Sequence, residues 1–524
     1  MANRYWVGGA GTWGTTSTTN WSASSGGAAG ASAPTTADAV FLDANSGTGA
    51  VTLGENVPCL SLTCTGFVGT LDFNAKKISI AGNAATVLTQ STGMTVTGTP
   101  VIDLTYAGAT GTRTVSSANV TESNSISVNV TAGTDIITNI SASVYKNLSF
   151  TGFAGTLSNV TRTIYGNLTI STGMTLTAGV NSTTFAATSG TQQVTTNGKT
   201  LDFPLVQNGL GGTLRLEDNL TMGSTRTFTL SNGILDLNTK VLSVGNFNSN
   251  SNSTIRTINF NSGSISVQNN STTVWNTGAA TGLTVTGDPI VNFTYAGSTG
   301  TRTLSAGGGE SRSFTFNVLS GSDIITNVSS GIFKNLNFTG FSGTLANVTR
   351  TIFGSLVLSS GMTLSTGTNA TTFGATTSQQ ITTANLTLDF PLVFNGVGGT
   401  FAFQDALTQG ATRDFTITNG TVQLKNGATS TVGNFVANNN NVKFLQSTTP
   451  GSQATLSQAS GTVNVVDLTI RDINAVGGAS WNAYTDFENT DAGNNDGWNF
   501  SLSPPYSTAE LPVTLRSFTQ PRRF

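Results

Sequence analysis

The chain has no histidine, only two cysteines, and charged residues at 9% of its 524 positions. Without histidine there is no Ser/His or Cys/His nucleophile, no histidine metal ligand and no histidine acid/base pair, so any catalysis would rest on carboxylates. With 22 basic against 24 acidic residues and no long basic run, the electrostatic footprint of phosphate-backbone binding is missing, and nucleic acid is not an expected partner. No run approaches about 18 uninterrupted apolar residues, so no membrane insertion by a helix is expected. The opening Met1–Ala10 has no hydrophobic signal core.

What is present is Thr, Ser, Asn and 61 Gly, with 37% apolar residues and 29 Phe. There is enough apolar surface to bury, which argues against disorder. A chain rich in Thr, Val, Ile and Phe and punctuated by Gly favours many short strands joined by tight turns, with almost no α-helix.

Self-comparison carries the organisation. TVTGTPVIDLTYAGATGTRT from Thr95 returns as TVTGDPIVNFTYAGSTGTRT from Thr284, and LDFPLVQNGLGGT from Leu201 returns as LDFPLVFNGVGGT from Leu388. Two tandem copies of about 188 residues occupy 87–272 and 273–461. Inside each copy, Leu148/Phe150 and Leu168/Ile170 alternate with polar residues at a spacing of 20. That spacing suits one coil of a β-solenoid, whose inward row is buried only when coils stack. The predicted fold is therefore all-β, a parallel β-helix-like rod of some twenty coils. Tandem β-sandwich domains are the alternative.

The flanks divide as follows. Residues 1–45, with Trp6, Trp13 and Trp21, form an amino-terminal cap or docking segment, and 46–86 are lead-in coils. Residues 462–503, with Trp481 and Trp498, close the other end, and 504–524 form an extended Pro-containing tail.

Candidate sites are few. Glu122, Asp135, Asp202 and Asp218 recur as Glu310, Asp323, Asp389 and Asp405. Arg113, Lys146, Arg162 and Arg226 recur as Arg302, Lys334, Arg350 and Arg413. A single active site would not be stamped twice, so these charges are expected to pair on neighbouring coils or chains. The adjacent Glu217 and Asp218 face opposite sides of a strand and are poor partners for acid/base work. No cofactor is expected, although Asp486, Glu488, Asp491 and Asp496 lie in an oxygen-rich loop of a kind that can hold calcium. Trp275, read as lying outside the shared core pattern at a Leu88-like position, is a candidate for stacking on a glycan ring. In CLSLTC, read as one strand, Leu60, Leu62 and Cys64 share a face and Cys59 takes the other, leaving two free thiols. Asn139, Asn147 and Asn159 begin Asn-X-Ser/Thr triplets, which the composition explains without glycosylation.

The opening RYWVGGAGTWGTTSTTNWSASSGGAAGASAPTTADAVFLDANSG (Arg4–Gly47) and the closing LTIRDINAVGGASWNAYTDFENTDAGNNDGWNF (Leu468–Phe500) resemble the ends of repetitive surface and fibre proteins of tailed, especially aquatic, bacteriophages, related in style to bacterial surface adhesins. LPVTLRSF (Leu511–Phe518) is also similar to the phrase that precedes the sorting domain of type IX secreted bacterial proteins. The resemblance implies a virion appendage or surface adhesin and carries no catalytic residues across; the first expectation is a non-catalytic tail fibre, spike or capsid-attached fibre on the virion surface. Its implied partners are other virion proteins and a host surface glycan or receptor, and its implied assembly is a homotrimer. A secreted bacterial adhesin and a β-helical glycan depolymerase are the alternatives.

Overall fold

The structure, a computed structural model, describes residues 1–117, 120–140, 142–328 and 330–503. The predicted tail lies outside the described residues.

The chain winds into a β-solenoid of about 20 turns. Each turn has three short segments, one per face, so the repeating unit is three strands around a triangular core. The first face starts with Asn3–Trp6, Ala39–Phe41 and Ser61–Thr63, and the second with Gly11–Trp13, Ala50–Leu53 and Thr70–Asp72. The third starts with Val57–Cys59 and Lys77–Ile80. Among the described strands every pairing is parallel except that of Asn3–Trp6 with Trp21–Ser22, which rules out tandem sandwiches.

The strands form because inward and outward positions alternate. Thr227–Leu230 and Val241–Val244 both place every second residue inside, and Phe228, Leu230, Leu242 and Val244 are buried. Stacking then puts like on like. Leu148 sits in register with Leu168, as their 20-residue spacing predicts, while Leu88 pairs with the more distant Val115 because extra residues loop out at a corner. Inside the core the ring of Phe394 stacks on Phe373 at a centroid separation of 5.2 Å and packs tilted against Phe415 at 4.9 Å.

Corners are tight. At Gly155 and Gly343 an added Cβ would lie 2.1 Å from the carbonyl oxygen of Asp135 or Asp323 on the preceding turn, so only glycine lets the turns close to the strand spacing.

The two ends differ. At the amino end Trp6, Trp13 and Trp21 are buried edge to face, and antiparallel Trp21–Ser22 covers the first strand. At the carboxyl end Trp481 is buried against a half-buried Trp498, centroids 5.0 Å apart. One continuous core runs from Trp6 to Ala483.

The duplicated copies do not superpose by a whole number of turns. Thr112–Ser116, carrying Arg113, lies on the first face, whereas its equivalent Thr301–Ala306, carrying Arg302, lies on the second. Ser127–Val130 on the third face likewise corresponds to Thr315–Val318 on the first. Eight full turns plus one face separate the copies, so copy 2 is rotated by a third of a turn about the axis.

Candidate binding surface

The recurring charges hold turns together. Arg113 makes paired hydrogen bonds to Asp135, at 2.8 and 2.7 Å, between the rings of Tyr106 and Phe153; Arg302 repeats this with Asp323, Tyr295 and Phe341. Both pairs are fully buried, joining one turn to the next within a single chain. Arg226–Asp202 and Arg413–Asp389 pair at 2.7 Å nearer the surface. Asp218 accepts from the backbone N–H and hydroxyl of Thr196, as Asp405 does from Thr383. Glu217 instead takes Arg215, so the adjacent carboxylates work apart. Arg162 and Arg350 are buried on the amide oxygens of Asn139 and Asn327, and burial holds both guanidiniums below their ordinary range, Arg350 down to about 10. Asn147 and Asn159 also bond to neighbouring turns.

Trp275 is a correction. It is fully buried, in register with Leu304 as Leu88 is with Val115, stacked 4.6 Å from Phe247, and its indole N–H donates to Thr277. Its position belongs to the core pattern after all, so no ring face is free for a sugar.

The four proposed calcium ligands are not brought together. Asp486 binds Ser503, Asp491 accepts from Gly493 and Asn495, and Asp496 accepts from Gln453. Glu488 instead shares a carboxyl hydrogen bond with Asp467, which raises its pKa. Among the described residues no group of three acidic or thiol side chains is placed to hold a metal ion.

The reading of CLSLTC also needs correction. Val57–Cys59 lies on the third face and Ser61–Thr63 on the first, so the chain turns a corner at Leu60 and both thiols point inward, free and buried.

Besides a groove lined by Ile255, Leu283 and Arg312 and one lined by Asn232, Asn248 and Asn250, two kinds of groove bear on a binding role. The first, about 480 Å³, is lined by Thr99, Pro100, Glu122, Lys146 and Asn147, with Lys146 Nζ 3.7 Å from Glu122. It is particular to copy 1, because Asp288 replaces Thr99 in copy 2 and takes Lys334 at 3.4 Å. The second kind occurs twice. In copy 1, Leu210, Gly211, Gly233, Ile234, Ile255 and Thr257 enclose about 260 Å³. In copy 2 the equivalent positions, among them Val397, Thr421, Val442 and Phe444, enclose about 520 Å³. The register is the same, with Gly233 opposite Arg256 and Gly420 opposite Lys443. Beneath each groove the cation is buried and anchors the corner on backbone carbonyls: Arg256 on Ala279 and Thr281, Lys443 on Asn439 and Asn441. The sequence carried a signal for these residues, an apolar side chain inside a glycine-rich turn (NGLGG and NGVGG), where a polar residue is the rule.

No protein-family model, curated protein or solved structure matches the chain.

Proposed function

We propose that the chain is a non-catalytic structural appendage of a phage virion, a fibre or spike whose rod presents a host-contacting surface and whose copies assemble as a homotrimer. The observation that carries this reading is the duplication. The recurring Arg113–Asp135, Arg226–Asp202 and Asp218 contacts and their copy 2 equivalents are bonds between turns, so what was copied there is scaffold. A rod of about twenty rungs at 4.8 Å spacing extends roughly 100 Å, a reach that suits multivalent contact at a distance from an anchoring particle. Mass spectrometry of purified virions from the source tests it, with this chain expected among the structural proteins; its absence overturns the reading. Incubation with host surface polysaccharide is expected to release no reducing ends.

A further inference from the structure

We infer that the two equivalent grooves are binding sites for an uncharged, linear saccharide, one per copy, facing directions a third of a turn apart. The inference rests on the surface-binding reading above and specifies its ligand.

The aliphatic lips are unusually open for their size. Leu210 and Ile255 are 63% and 72% exposed, Val397 and Val442 71% and 70%, and copy 2 adds a partly exposed Phe444. No ionisable side chain lines either groove: Arg256 and Lys443 lie beneath with their donors on backbone carbonyls, and Arg312, in the adjoining groove across Ile255, donates to the Ala280 carbonyl. A charged ligand would therefore find no counter-charge, whereas a neutral one loses nothing.

An amide pair adjoins each groove: Asn419 lines the copy 2 groove, and in copy 1 Asn232, next to Gly233 in the chain, lines the neighbouring groove. Asn232 donates to Asn208 at 2.7 Å, and Asn419 to Asn395 at 2.6 Å, on successive turns. An aliphatic or aromatic platform edged by amides matches a pyranose ring, apolar on its C–H face and rimmed with hydroxyls. The strand spacing of about 4.8 Å also brings the next lip and the next amide close to where the next sugar of an extended chain falls. An apolar peptide would use the lips but not the amide pair.

The rotation sets the stoichiometry. The Ile234 strand is on the third face and the Thr421 strand on the first, and eight rungs displace the sites by about 40 Å along the axis. One straight saccharide cannot occupy both grooves, so each rod binds two and bridges them.

Isothermal titration of the full chain with neutral hexasaccharides of glucose, mannose and N-acetylglucosamine tests this. At least one is expected to bind at two sites per chain. Leu210→Asp with Ile255→Asp is expected to weaken one site about tenfold and leave the other, and Val397→Asp with Phe444→Ala the reverse. The surviving groove reports that each variant has folded. Absence of saturable binding, binding indifferent to both variants, preference for a sulfated or carboxylated saccharide, or binding of an apolar decapeptide instead would each overturn the assignment. Detection of the chain in virions alongside any of those results would leave the appendage reading standing and remove only the grooves.

Discussion

At the residue scale, the buried ion pairs are the most sensitive points. Asp323→Ala leaves the Arg302 guanidinium fully buried without its carboxylate, and is expected to cost about 3–5 kcal/mol of local stability, read as lost amide-exchange protection around Thr301–Ala306. Replacing both partners by apolar residues of similar size is expected to recover most of that loss. The thiols give a second test. Burial pushes Cys64 up to about 12 and raises Cys59 as well, so neither is a thiolate at neutral pH. Both should resist alkylation in the native protein and label fully, without reductant, once it is denatured. The third is a titration. Glu488 has a folded pKa above its ordinary 4.5 because it holds a proton against Asp467. Its contribution is therefore full below pH 4.5 and is lost as pH rises through the folded value. NMR titration of the Glu488 carboxyl should give a midpoint above 4.5, and Asp467→Asn should lower it.

At the element scale, turn-to-turn approach dominates. Gly343→Ala forces a methyl onto the Asp323 carbonyl oxygen, and is expected to destabilise its neighbouring turns by about 1–3 kcal/mol. Because contacts in a solenoid are between neighbours, the loss should stay local, with exchange protection falling near residues 321–345 and unchanged at the amino end. Gly398→Ala meets no atom within 4 Å but must adopt φ +76°, so its cost is backbone strain alone and should be the smaller of the two. Much at this scale was legible beforehand. The alternation and the 20-residue spacing gave the inward row and the Leu148–Leu168 register. The corner at Leu60 was not legible, because alternation says which residues point inward but not where a strand bends: Cys59, Leu62 and Cys64 all face the core from two different faces.

At the scale of the whole molecule, the slender rod exposes outward faces rich in Thr, Ser and Asn and poor in charge, which gives weak protection against lateral association. Light scattering is expected to give about three times the 53.7 kDa chain mass. A monomer at micromolar concentration would count against the trimer. Ladders between subunits cannot come from Arg113, Arg162, Arg302 or Arg350, all buried in their own chain, so any trimer contacts must come from other residues.

The sequence by itself determined the class of fold, the two copies and the inward alternation of the strands, because each is set by local alternation and by repetition along the chain. Only the tertiary structure decided what points where. Trp275 went into the core because its strand stacks on Phe247. The acidic loop residues went to separate partners because each turn offers its own amides and hydroxyls. The copies came to face different directions because turn length varies at the corners, so a repeat of fixed length in residues closes on eight turns and one face.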